Sequence, residues 1–83
     1  MEYHVDGSLV DADAATLPVD HRGVALGDGA SEPVRAYGGA PFAWPRHAER
    51  LFDACDALGI DPGVGTDELA ARIGATLDAN DLD

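Results

Sequence analysis

The sequence predicts an α+β fold in which a small antiparallel sheet of hairpins is followed by two helices. Two glycine-containing turn signals, each between short strand-like segments, lie in the first half of the chain. After Pro45 the spacing of the apolar residues changes from two to nearly four, which is the helical period. The strands do not alternate with helices, so no βαβ unit is expected. The chain has room for one small domain, predicted over residues 1–83 with its strands at about 2–44.

The first hairpin centres on Asp6 and Gly7, the two-residue signal of a type I′ turn in which both central residues take positive φ. Residues 3–5 and 8–10 are predicted to form its two strands, and a polar, alanine-rich connector follows. A further strand is predicted over residues 16–19. Its proline has no N–H to donate to a neighbouring strand, so this strand belongs at the edge of the sheet.

The second hairpin centres on the glycine pair at residues 38–39. Its strands are predicted over residues 34–37 and 40–44. Because side chains alternate between the two faces of a strand, Arg35 and Tyr37 are expected on the same face.

The first helix is predicted over residues 45–58. Pro45 suits the first helical position, and Gly59 suits the position just past the end. One face carries apolar residues at helical spacing, namely Ala48, Leu51, Phe52, Cys55 and Leu58.

The second helix is predicted over residues 67–79, with Thr66 as its N-cap. Asp67 and Glu68 suit the positive end of the helix dipole. Its apolar residues repeat every four positions, at Leu69, Ile73 and Leu77.

The charge of the chain is strongly negative, with a formal net charge of −11, five arginines and no lysine. A phosphate backbone needs a basic surface to displace its counterions, so nucleic-acid binding is disfavoured. The abundance of Asp and the absence of Lys favour the hypothesis of a protein adapted to molar salt. Large aliphatic residues are few, so we expect the chain to be largely unfolded in dilute buffer and to gain structure in molar salt.

Cys55 is the single cysteine, so an internal disulfide framework is excluded. No stretch approaches the roughly 18 apolar residues that a membrane span needs, and the first residues have no signal-peptide pattern. The sequence therefore predicts a soluble, cytoplasmic protein.

Four segments in fixed order carry the strongest functional signal. They read Asp-His-Arg-Gly at residues 20–23, Gly-Asp-Gly-Ala-Ser-Glu at 27–32, Val-Arg-Ala-Tyr-Gly-Gly at 34–39 and His-Ala-Glu-Arg-Leu-Phe at 47–52. In order and spacing the chain resembles the N-terminal domain of class-IV aminotransferases. These are fold-type-IV, pyridoxal-phosphate-dependent enzymes that include branched-chain aminotransferases, D-amino-acid aminotransferases and aminodeoxychorismate lyases. The resemblance covers almost the whole chain.

The resemblance implies roles for three residues. Arg50 matches the arginine that holds the cofactor phosphate, and a guanidinium offers phosphate a rigid fork of donors. Arg35 matches a position near the mouth of the substrate pocket, and Glu32 matches an acidic residue with a structural role. From periodicity alone, Arg50 is favoured as a helix-surface arginine paired with Asp53, and the matched motif reverses this preference. Arg35 is equally consistent with an exposed strand residue.

Two departures from the family pattern alter the expected substrate pocket. Ser31 stands where the family usually has Phe or Tyr as a wall of that pocket. Pro33 stands where Thr, Gly or Val is usual, and proline deletes a strand hydrogen bond.

The family binds its cofactor covalently through a lysine that lies beyond the region of resemblance, and these 83 residues contain no lysine. No catalytic residue can therefore be named in this chain, and its status as an enzyme stays open. We expect a truncated aminotransferase that lacks the cofactor-lysine domain and is inactive alone. Its expected partners are an amino-acid substrate and a lysine-bearing second chain or a second copy in a homodimer.

Two other functions are weighed against this one. The chain could be a non-catalytic acidic interaction module, or the remnant of a broken gene. Residues 63–68 are also similar to the calcium loop of annexin repeats. A helix N-cap after a glycine-rich turn explains this loop better, and the three histidines lack metal-ligand spacing, so no metal site is predicted.

Overall fold

The computed structural model describes residues 1–22, 26–27 and 29–82 of the chain. Two small antiparallel sheets precede two helices, which confirms the predicted α+β arrangement. Strands β1 (Glu2–Val5) and β2 (Ser8–Asp11) form the first sheet. Strands β3 (Ala36–Tyr37) and β4 (Ala40–Pro41) form the second.

The first hairpin has the predicted turn. Asp6 and Gly7 both have positive φ, at 51° and 88°, as a type I′ turn requires. Tyr3 pairs with Val10 across the two strands. The connector that follows contains a short 3₁₀ helix at Ala12–Ala14.

The strand predicted over residues 16–19 is wrong, since this segment has no regular secondary structure. Leu17 and Val19 are exposed, Val19 to 86%. Pro18 has no N–H to donate to a neighbouring strand. The apolar residues of this short segment do not specify a second strand with which it could pair.

The second hairpin is shorter than predicted, although its turn is the expected one. Gly38 and Gly39 both have positive φ, at 60° and 77°. The ladder ends early because Pro41 has no N–H and Ala43 takes a left-handed conformation with φ 53°. Beyond the assigned strands, the Phe42 N–H donates to the Arg35 carbonyl at 2.7 Å.

Helix α1 spans Trp44–Leu58, so it begins one residue before the predicted start and places Pro45 second rather than first. Gly59 ends the helix as predicted, with φ 71°. The Ile60 N–H then reaches back to the Cys55 carbonyl at 2.8 Å, the bond that closes a Schellman motif.

Helix α2 spans Thr66–Ala79, one residue earlier than predicted. Gly65, not Thr66, is the N-cap, and no side chain caps the helix. Gly65 has the extended backbone that is usual for an N-cap residue. As glycine it has no side chain that could accept a hydrogen bond from the first turn of the helix. The indole N–H of Trp44 donates to the Thr66 carbonyl at 3.1 Å and links the starts of the two helices.

One amide side chain joins the two ends of the described chain. The Glu2 N–H donates to Asn80 Oδ1 at 2.7 Å, and Asn80 Nδ2 donates to the Glu2 carbonyl at 2.8 Å. Asn80 Nδ2 also donates to the Thr76 carbonyl at 2.8 Å, one turn back along α2. These three bonds, called the Asn80 clamp below, fasten β1 to the end of α2.

The core is small, as the composition predicts. Among the described residues only Ala48 and Cys55 are buried, and both lie on α1. Many large apolar side chains are exposed, including Leu9, Leu17, Val19, Leu26, Tyr37, Phe42 and Leu58. In the described part of the chain, neither helix combines the length and apolar character that a membrane crossing requires.

Candidate functional site

Three polar side chains from two distant segments meet beside α1. Glu32 Oε2 lies 2.7 Å from His47 Nδ1 and 2.7 Å from Arg50 Nη2. The His47 and Arg50 nitrogens are 3.3 Å apart. One carboxylate oxygen therefore stands between an imidazole and a guanidinium, in what is called the Glu32 cluster below.

Helical spacing brings His47 and Arg50 to the same side of α1, because residues three apart are neighbours on a helix surface. Glu32 comes from the irregular segment that leads into β3. Exposure rises across the cluster, with 14% of the Glu32 side chain, 18% of His47 and 59% of Arg50 accessible to solvent. The carboxylate and the imidazole are thus shielded from solvent, whereas the guanidinium that contacts them belongs to an exposed side chain.

The protonation of the cluster follows from its geometry. The hydrogen bond from His47 lowers the pKa of Glu32, the bond from Arg50 lowers it further, and partial desolvation opposes both. Glu32 is therefore an ionised carboxylate at neutral pH and can only accept hydrogen bonds. The proton between it and His47 belongs to Nδ1. A guanidinium has donors only, so the close approach of Arg50 to His47 is that of two donors sharing one acceptor.

Arg35 lies beside an open groove of about 400 Å³ next to the cluster. The groove is lined by Pro33, Val34, Arg35, Phe42 and His47. Arg35 and Tyr37 are both exposed, although Arg35 lies just before β3 rather than on it. The Tyr37 and Phe42 rings pack edge to face with their centroids 5.3 Å apart, which stiffens the hairpin that carries Arg35. His47 belongs both to the groove and to the Glu32 cluster.

Ser31 is exposed and is not among the groove-lining residues, whereas Pro33 is one of them. The structure therefore brings Arg35 close to the Glu32 cluster through His47 and leaves Ser31 at the edge of this region. Gly23 and Asp28, which belong to the motif segments at residues 20–23 and 27–32, lie outside the described residues.

The Glu32 cluster was not predicted as a unit. The sequence points to Arg50 and gives Glu32 a structural role, but it assigns no role to His47 beyond the absence of metal-ligand spacing. The three-residue spacing of His47 and Arg50 could have indicated their contact. In the described residues Arg50 pairs with Glu32 rather than with Asp53, the partner that its helix alone would favour.

The loop at residues 63–68, which is similar to an annexin calcium site, begins in a turn that leads into α2. The Gly63 N–H donates to Asp61 Oδ1 at 2.9 Å, which closes a tight turn before α2 begins at Thr66. In the residues that the structure describes, no three His, Cys, Asp or Glu side chains come close enough to hold a metal ion.

The chain is similar to curated aminotransferases along nearly its whole length. It is 34% identical over 82 residues to the putative branched-chain-amino-acid aminotransferase of Methanocaldococcus jannaschii, which covers 99% of this chain. It is 29% identical over 80 residues to the D-alanine aminotransferase of Bacillus licheniformis, and 30% identical over 78 residues to that of Staphylococcus haemolyticus. The chain spans 28% of the length of these relatives. No family model matches it.

Proposed function

We propose that this chain is the part of a class-IV aminotransferase that contributes to the phosphate site of pyridoxal phosphate. The observation that carries this proposal is the exposed Arg50 guanidinium, anchored at one nitrogen by the shielded Glu32 carboxylate. The similarity to aminotransferases along 94–99% of the chain supports it. Inorganic and ester phosphates are well suited to such a site, because Arg offers them paired N–H donors in one plane.

The residues around Arg50 fit a phosphate group. Within the described part of the chain, only Nη2 of Arg50 makes a hydrogen bond, and Nε and Nη1 make none. Pyridoxal phosphate, when bound, supplies the electron-withdrawing ring on which amino-group transfer depends. Arg50 would bind and orient its phosphate. Arg35, at the groove, would attract the carboxylate of an amino-acid substrate, and Ser31 would leave one wall of the substrate pocket less apolar than an aromatic residue does.

Covalent binding of the cofactor requires a lysine, and none of the 83 residues is one. That lysine would therefore come from protein outside these 83 residues. The isolated 83 residues are expected to bind the phosphate group weakly and to transfer no amino group.

The test is a phosphorus NMR titration of the 83-residue chain, kept folded in an uncharged osmolyte, with pyridoxamine phosphate, which has no aldehyde to react with the terminal amine. Arg50→Ala is expected to weaken binding about tenfold, the effect of losing a charged hydrogen bond. Arg46→Ala is the matched control, because Arg46 is an exposed arginine one turn earlier on α1 and should leave binding unchanged. Pyridoxamine without phosphate should not compete. Equal effects of the two substitutions would contradict the proposed role of Arg50.

The exposed apolar residues favour a second candidate function, that of a non-catalytic acidic interaction module. Only two of the described residues are buried, so covering the exposed apolar surface with another protein would stabilise the chain. Such a module would form complexes without any dependence on Arg50. A chain whose pyridoxamine phosphate titration is flat, and whose complexes form equally well with Arg50→Ala, would favour this function over the first.

A further inference from the structure

The Glu32 cluster carries an inference about how Arg50 is held. A guanidinium presents two planar forks of paired N–H groups, one formed by Nε and Nη2 and the other by Nη1 and Nη2. The two Nη2 hydrogens belong to different forks. The single bond from Nη2 to Glu32 therefore occupies one fork and leaves the other complete for a bidentate ligand.

Glu32 is itself held from the other side. His47 Nδ1 donates to the same oxygen at 2.7 Å, and both side chains are largely shielded from solvent. A carboxylate oxygen fixed by the imidazole can in turn fix the guanidinium of a side chain that is 59% exposed. Without this bond Arg50 would be a long, flexible side chain on the helix surface, and ordering it would reduce the free energy gained on binding.

We infer that Glu32 is a positioning residue that orients the free fork of Arg50 for a phosphate, with His47 holding Glu32 in place. The inference rests on the proposed function of Arg50 and adds how that residue is prepared for its ligand. It assigns His47 an indirect role, through its Nδ1–H, rather than a contact with the phosphate.

Charge alone leads to the opposite expectation. The Glu32 carboxylate offsets the positive charge of Arg50, so with an uncharged imidazole the cluster has no net charge to attract an anion. If Glu32 acted only through its charge, removing it would strengthen phosphate binding. If Glu32 positions Arg50, removing it weakens phosphate binding despite the gain in net positive charge. The two roles therefore predict changes of opposite sign.

The experiment uses the full 83-residue chain with ¹⁵N-labelled arginine, in an uncharged osmolyte that stabilises folded protein without screening charges. Inorganic phosphate is the probe, and the Arg50 Nε–H signal reports both binding and side-chain motion. Glu32→Ala is expected to make this N–H more mobile before phosphate is added. It should also weaken phosphate binding about tenfold, as for residues that support metal ligands. Glu32→Gln keeps an acceptor oxygen and should lose less phosphate affinity than Glu32→Ala.

Glu49→Gln is the matched control, since it removes a carboxylate charge beside Arg50 from an exposed position on the same helix. It should leave the mobility of Arg50 unchanged and should not weaken binding. Far-UV circular dichroism checks that each variant keeps its helices, and Glu32→Gln serves if Glu32→Ala does not fold. Equal or tighter phosphate binding by the Glu32 variants would overturn the inference alone. A wild-type chain in which phosphate leaves Arg50 unaffected would overturn the proposed function itself.

Discussion

The Asn80 clamp and the Glu32 cluster solve the same problem with different chemistry. Each uses one side chain to hold segments that are far apart in the sequence, and each makes several short hydrogen bonds. The clamp is uncharged, and both Nδ2 hydrogens of Asn80 are paired with backbone carbonyls. The cluster is built around an ion pair and leaves most donors of Arg50 without a partner in the described residues. The clamp, whose donors are all paired, stabilises the fold, whereas the cluster has unpaired donors that a ligand could bind.

Salt is expected to have the largest effect on both regions, because it acts on the whole chain. With a net charge of −11 and few buried residues, the folded state is opposed by self-repulsion that salt screens. We expect helical circular dichroism to be weak in dilute buffer and to rise toward molar sodium chloride. A cooperative melt whose midpoint does not change with salt would contradict this prediction.

Asn80→Asp should lower the stability of the fold without changing phosphate binding at the Glu32 cluster. It replaces the Nδ2 donors by an acceptor that faces the carbonyls of Glu2 and Thr76. We expect the free energy of unfolding to fall by about 2 to 3 kcal/mol, as when a shielded polar group loses its partner. Denaturant unfolding measures the change, with Asp78→Asn as a control at an exposed position nearby. Phosphate binding by folded Asn80→Asp should stay unchanged, and a parallel loss would show that the two regions are coupled.

Gly7→Ala, at the turn of the hairpin that contains Glu2 of the clamp, is expected to have a smaller effect. Gly7 has φ 88°, and an added Cβ would lie 3.4 Å from Arg72 Nη2. The left-handed backbone should lower the free energy of unfolding by about 1 to 2 kcal/mol. Thermal unfolding compares this variant with Gly29→Ala, where an added Cβ meets no atom within 4 Å. Equal shifts in Tm would mean that the turn imposes no special backbone requirement.

Acid should affect the Glu32 cluster and leave the neutral clamp intact. The bonds from His47 and Arg50 lower the pKa of Glu32 below its ordinary value of 4.5. The stabilisation that this carboxylate contributes is therefore present above pH 4.5 and is lost as the pH falls through the lowered pKa. We expect the stability difference between wild type and Glu32→Gln to shrink only in that acidic range. Glu49→Gln should show no such pH-dependent difference.

Local signals predicted the helices and turns, whereas contacts between distant segments escaped prediction. The apolar period of α1 and the glycine at residue 59 located that helix to within one residue at its start. Asp6 and Gly7 indicated the turn because both residue types readily adopt the positive φ that a type I′ turn needs. The strand expected over residues 16–19 failed because a strand needs a partner that alternation does not reveal.

The candidate site shows the same limit. The resemblance to class-IV aminotransferases drew attention to Glu32, Arg35 and Arg50 separately. That Glu32 would meet His47 and Arg50 depends on the path of an irregular segment, which no periodicity or turn signal specifies. Pairing an arginine with a residue on its own helix is the simplest guess, and here it names the wrong carboxylate.

The Asn80 clamp also bears on how the chain avoids joining other chains. Residues of β1 alternate between bonds to β2 and bonds to the outer side, and the Glu2 N–H and carbonyl point outward to Asn80. The side-chain amide imitates one peptide unit of an additional strand. It thereby covers a donor and acceptor pair that an unpaired edge would otherwise offer to a foreign strand, the contact through which sheets grow into aggregates.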